Sequence, residues 1–165
     1  MGVRLSGVVM LAGMTVGMAA ACAAGDGEAD DEVVLRGRHL VLVGGCNDCH
    51  TAGFAESGGK VPEDKWLMGS PLGFHGPWGT TYAANLRLFM QHRTLDEWID
   101  FAHREKLRPP MPYWALHEMS RDELAAIYAF VRSLEPMGEP VPEYQPPGES
   151  PKGPAVEWPA PPGKE

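Results

Sequence analysis

The chain has 165 residues and carries 14 Lys+Arg against 22 Asp+Glu, a formal net charge of −8. No basic stripe is present, which argues against nucleic acid as a partner; an acidic surface suits solubility and steering toward a basic partner. Ten of the sixteen prolines follow Leu134 and an apolar segment opens the chain, so the core must come from the middle. A domain that small often adds a covalent or metal staple to its hydrophobic core.

In chain order, Arg4, the apolar "VVMLAGMTVGMAAA" and the small residues after it read as an export signal over residues 1–21. The run from Leu5 to Ala24 is long enough to reach across a bilayer at ~1.5 Å per residue. It lacks a basic stop-transfer flank, however, and "GDGEADDE" follows at once. Cys22, in "MAAAC", resembles a bacterial lipoprotein processing site, whose thiol becomes a lipid-bearing thioether that holds a protein on a membrane face. Ala19 stands where such signals carry a larger apolar residue, and ordinary cleavage near Ala21 is the alternative. Residues 22–31 then read as an acidic tether.

Residues 32–135 form the expected domain. Val33, Gly37, Leu40, Val41 and Gly44 fall at helical spacing, and Gly44-Gly45 suits a helix end. The alternating "HLVLV" would also suit a strand. From Thr51 to Arg93, Gly, Pro and scattered aromatics show no periodicity, which predicts a long ordered loop. Such loops are unusual in compact domains unless something organises them, so this one asks for a ligand. Thr94 with Glu97 makes a capping box ahead of a helix to about Glu105, and Ser120 with Glu123 makes another. The second helix puts Leu124, Ile127, Tyr128, Val131 and Leu134 on one face before Pro136 stops it. Residues 136–165 are a Pro-rich tail through which neither helix nor sheet is expected to run, with Tyr144 and Trp158 available to pin it.

The chemistry lies in "GGCNDCHTAG". A redox Cys-x-x-Cys belongs between a strand and a helix in an alternating β/α pattern, which is missing here. A zinc site needs four ligands; no second Cys pair exists, and His39, His75, His92, His103 and His117 are scattered. Cys-x-x-Cys-His is also the attachment signature of haem c, in which Cys46 and Cys49 bond the two vinyl groups and His50 is carried under the iron. Attachment outside the cytoplasm agrees with an export signal. One haem c, covalently held, is the expected cofactor. A methionine thioether as sixth ligand would favour ferrous iron. Met111, in "LRPPMPYW", stands out because Pro109, Pro110 and Pro112 stiffen its surroundings. Met68 is its rival, while Met119 reads as a staple at a helix start; methionine is otherwise core filler. The remaining histidines read as surface residues. Asp96, Glu97, Asp122 and Glu123 sit in first helical turns and favour the dipole.

With "RGRHLVLVGGCNDCHT", "GTTYAANL", "MPYW" and "MSRDELAAIYAFVRSL", the chain resembles the class I c-type cytochromes over about Leu35 to Leu134, in particular the monohaem type associated with periplasmic dehydrogenases. That resemblance implies an all-α cytochrome c fold in which N- and C-terminal helices cross, with Gly37 and Leu40 meeting Tyr128, and a long loop wraps the haem. It makes Trp78, Tyr82 and Asn85 candidate propionate or haem-wall contacts, and Leu72, Phe74, Trp114 and Ile127 further wall residues. The family's Thr-Pro-Asp after the asparagine is replaced here by "RLF". The expected function is one-electron transfer in a periplasmic or extracytoplasmic chain, not catalysis, since His50 and Met111 together leave the iron no vacancy. Redox proteins are the expected partners: a dehydrogenase, an oxidase or another cytochrome. The alternatives are an electron-accepting subunit of a dehydrogenase or oxidase complex, and a haem sensor or peroxidase from which Met111 dissociates.

Overall fold

Both capping boxes form in the computed structural model, which describes residues 1–2 and 26–158. In α4 (Leu95–Arg104) and α6 (Arg121–Ser133), the cap hydroxyls of Thr94 and Ser120 accept from the backbone N–H of Glu97 and Glu123. The two carboxylates reach back to the cap N–H groups at 2.7 and 2.8 Å. These hydrogen bonds hold both glutamates below their ordinary values. Residues 3–21 of the export signal and the lipidation site read at Cys22 lie outside the described residues.

Helix α1 spans Asp26–Val43. It therefore begins inside the stretch read as a tether. Gly45 ends α1 in the left-handed region (φ +67°), and its N–H donates to Leu42 at 3.1 Å. It is also the N-cap of the short helix α2 (Cys46–His50). The αL turn thus aims α2 away from α1 without a linker.

Helix α1 packs on α6 at Gly37. A methyl there would lie 2.5 Å from the Ala126 carbonyl carbon and 2.8 Å from Phe130 Cβ, so the backbones meet because no side chain intervenes. Gly37 thus meets Ala126 and Phe130, while the Tyr128 hydroxyl donates to the Arg93 carbonyl at 2.8 Å. Val41, Leu124, Phe130 and Val131 are fully buried around this contact.

The all-α expectation is corrected to mostly helical with a small sheet. Strands β1 (Gly73–Gly76) and β2 (Gly79–Tyr82) pair antiparallel, from Gly73 opposite Tyr82 to Gly76 opposite Gly79. The turn between them is closed by Gly79 at φ +95°. Strand β3 (Ala155–Glu157), from the tail, adds parallel to β1, giving the order β2-β1-β3. The stretch expected as a loop thus holds a hairpin and the helix α3 (Leu86–Gln91). Its glycines mask the alternation of such short strands. The tail joins the sheet because proline keeps its carbonyl as an acceptor: Gly73 N–H donates to Pro154 at 2.9 Å. Gln145 is 2% exposed and exchanges backbone hydrogen bonds with Thr80 at 2.8 and 3.1 Å.

Arg87, on α3, is a buried cation tied to backbone. It donates to the carbonyls of Trp66 (2.7 Å), Glu135 (3.2 Å), Glu63 (3.1 Å) and Asp64 (3.0 Å). One side chain so joins the segment after α2, α3 and the end of α6.

Candidate functional site

Helix α2 carries Cys46, Cys49 and His50 within five residues. Three positions apart on a helix, the two thiols share a face. Both are free and half-buried. Burial pushes the Cys46 thiol up to about 11, with the Asp48 carboxylate adding to the rise, and burial raises Cys49 as well. At neutral pH both are therefore thiols. A redox pair works through a thiolate in an electropositive setting, and burial together with the neighbouring Asp48 carboxylate disfavours one here. Among the described residues no group of three or more His, Cys, Asp or Glu is placed to hold a metal ion.

His50 Nδ1 lies 2.8 Å from the Ala84 carbonyl oxygen. A carbonyl only accepts, so Nδ1 holds the proton and Nε2 carries the free lone pair. Desolvation holds this imidazole below its ordinary value, against the opposing effect of the Ala84 bond, so it is neutral at neutral pH. The ring is thus fixed in the tautomer that offers Nε2 to a metal.

The loop after α2 is locked onto it. Thr51 Oγ1 donates to Asn47 Oδ1 at 2.6 Å and accepts from the Leu67 N–H at 2.8 Å. Leu67 is fully buried at φ +61°, a conformation that bulky residues rarely adopt. Its carbonyl takes the Leu86 N–H (2.9 Å), and the next glycine, Gly69, donates to His50 at 2.8 Å. These bonds hold the strained residue in place and tie it to the start of α3, just after the segment that supplies Ala84.

Met111 lies between α4 and α5 (Tyr113–Glu118). Its N–H donates to Arg108 (3.2 Å), its carbonyl accepts from Tyr113 (2.9 Å), and the Pro109–Pro110 peptide is cis. The Met111 and Cys46 side chains both pack on the same apolar cluster. Met68 is instead covered by the tail, its Sδ 3.5 Å from the position of a methyl on Gly138. Met119 Cε and Cys46 Sγ both approach Gly44, each 3.8 Å from the position of a methyl there.

The three candidates taken from the resemblance separate. Asn85 caps α3 by accepting from Leu88 N–H (3.1 Å) and donates to the Met137 carbonyl (2.8 Å). The Tyr82 hydroxyl donates to Gln145 Oε1 at 2.8 Å. Both are engaged with protein. Trp78 Nε1 is buried with no partner, as are Thr81 Oγ1 and Asn47 Nδ2. Unsatisfied buried donors of this kind fit a group that brings its own acceptors, as the propionates of haem do. Trp114 is 62% exposed. Thr81 and the Ala84 carbonyl carry no sequence signal, since a lone threonine and a backbone oxygen look alike in any loop.

The family model for Cytochrome c matches residues 34–135. Two curated proteins, each named "Alcohol dehydrogenase (quinone), cytochrome c subunit", from Gluconacetobacter polyoxogenes and Komagataeibacter europaeus, are 27% identical over 136 residues. The match covers 80% of this chain and 26% of each relative, so the chain spans about a quarter of the length of these relatives. No solved structure gives a significant match.

Proposed function

The chain belongs to the cytochrome c family, and we propose that it is a monohaem one-electron carrier holding its cofactor through Cys46, Cys49, His50 and Met111. Membership implies haem c, and the free residues of α2 fit it: two neutral thiols on one helical face, followed by an imidazole with Nε2 unengaged. The observation that carries the reading is the His50–Ala84 hydrogen bond, which fixes the tautomer a proximal ligand needs.

The haem iron supplies reversible one-electron chemistry between Fe(III) and Fe(II). The chain's own part is to hold and shield it. Cys46 and Cys49 would hold the porphyrin edge as thioethers, and His50 Nε2 and Met111 Sδ would bind the iron. Two ligands supplied by the chain would leave the iron no open site, which would favour electron transfer over substrate chemistry. Trp78 Nε1 and Thr81 Oγ1 are free to donate to carboxylates on the cofactor. A partner meets an exposed cofactor edge through a small transient contact.

The likeness to two dehydrogenase cytochrome subunits supports a second reading, an electron-accepting subunit within a dehydrogenase complex. Stable co-purification with an enzyme separates it from a free shuttle. Export and a lipid anchor at Cys22 complete the proposal, supported by the sequence pattern around that residue. The mass of the mature N-terminus distinguishes a lipidated cysteine from simple cleavage. The cofactor assignment is tested by Cys46→Ala and Cys49→Ala: each is expected to weaken or abolish haem that survives denaturation, and fully retained covalent haem in both would sink it.

A further inference from the structure

The tail beyond residue 135 lies outside the family-matched segment, yet it returns along one side of the domain. Met137 accepts from Asn85, Gln145 pairs with Thr80, and the Trp158 N–H donates to His75 at 2.7 Å. Tyr144 adds a link of a different kind. Its hydroxyl donates to the Trp78 carbonyl in the hairpin turn at 2.8 Å. The Arg108 guanidinium carbon sits 3.8 Å from the centre of its ring. The Arg108 carbonyl in turn accepts the N–H of Met111. One tail side chain therefore bridges the hairpin turn, beside the unpartnered Trp78 indole, and the turn that presents Met111.

We propose that Tyr144 is a positioning residue that clamps the Met111 turn to the β1–β2 hairpin and so keeps the thioether at its post. This rests on Met111 being the sixth ligand. The segment between α4 and α5 has no regular structure; Leu107 and Met111 pack on the core and the Glu105 carbonyl lies 3.1 Å from His117 Nε2, but Lys106, Arg108 and Pro109 are exposed, so the Arg108 corner has few ties besides Tyr144. A foreign ligand reaches the iron only when this turn opens, and its apparent affinity scales with the open fraction. A cation–π contact at an exposed site and a neutral hydrogen bond each change such a fraction about two- to tenfold.

The test is imidazole binding to the ferric holoprotein, followed by absorbance, alongside hydrogen exchange at the Met111 and Tyr113 amides. Tyr144→Ala is expected to raise imidazole affinity about tenfold and speed exchange; Tyr144→Phe, which keeps the ring over Arg108, gives about threefold. Arg108→Met also gives about threefold alone, and adds nothing in the Tyr144→Ala background, because the contact is already lost. A tail that merely stabilises the fold would lower the denaturation midpoint and leave imidazole affinity unchanged, which overturns the proposal. Equal Arg108→Met effects with and without Tyr144 overturn it too. Faster exchange with unchanged imidazole affinity in both Tyr144→Ala and Met111→Ala locates the failure in the ligand reading. Unchanged exchange, in a protein whose potential does fall in Met111→Ala, locates it in the clamp.

Discussion

Gly37→Ala tests the helix contact on which the whole site is mounted. The added methyl would fall 2.5 Å from the Ala126 carbonyl carbon and 2.8 Å from Phe130 Cβ. Neither is the far end of a flexible side chain: one is helix backbone, the other is fixed to it. The helices must part by about 1 Å before the methyl reaches ordinary contact distance, and a gap of that size forfeits up to about half of each facing dispersion contact. Overpacking of this kind costs about 3 kcal/mol. The better helix propensity of alanine returns about 1 kcal/mol, so a net loss of about 2 kcal/mol is expected. Urea denaturation of holoprotein at matched haem content reads it as a lower midpoint with an unchanged slope. Val33→Ala, at an exposed position of the same helix, is expected to stay within about 0.5 kcal/mol of the parent. A neutral or stabilised Gly37→Ala would refute the close approach of α1 to α6.

Arg87→Leu leaves the Trp66 carbonyl buried without a donor and releases Glu63, Asp64 and Glu135, for a loss of about 3 kcal/mol in the same assay; Arg87→Lys recovers only a minor part, because one ammonium cannot span four carbonyls. Glu97 and Glu123 are held below the ordinary glutamate value of 4.5 in the fold, so their contribution is fully present above that pH and is lost as pH falls through the depressed values. Acid titration of Glu97→Gln and Glu123→Gln, followed by helical circular dichroism, is expected to show a shallower loss of helix below pH 4.5 than the parent, and an identical acid limb would count against the capping contribution. Met111→Ala is expected to lower the reduction potential and open the iron to added ligands, whereas Met68→Ala, under the tail at Gly138, changes neither; exchanged outcomes would move the sixth ligand to Met68.

What could be read in the sequence was local and chemical. The Thr94/Glu97 and Ser120/Glu123 pairs announce helix starts because each box is closed within four residues, and both form. Gly44-Gly45 marks the end of α1 because only an αL residue turns the chain there. Cys46, Cys49 and His50 narrow their chemistry by spacing only once the missing β/α alternation and the missing second Cys pair are taken into account. The hairpin escaped because β1 and β2 are four residues each and supply three glycines, leaving no alternation to detect. The tail escaped for another reason. Gln145 is polar among prolines, and its burial depends on Thr80 and Tyr82, more than sixty positions upstream. Arg87 likewise reads as a surface cation until the four carbonyls that surround it are brought together by tertiary structure. The engagement of Tyr82 and Asn85 with the tail belongs to the same class: a resemblance confined to the domain says nothing of an appendage that claims their hydrogen bonds.

The central claim, a haem iron held on both sides by this chain, is met most directly by the absorption spectrum of the ferrous protein at neutral pH before and after carbon monoxide. With His50 and Met111 both bound, the reduced spectrum is unchanged by the gas, and Met111→Ala becomes carbon monoxide-reactive. A parent protein whose ferrous spectrum shifts at once to the carbon monoxide-bound form would contradict the account, leaving an open iron and a ligand-binding or catalytic haem protein in place of an electron carrier.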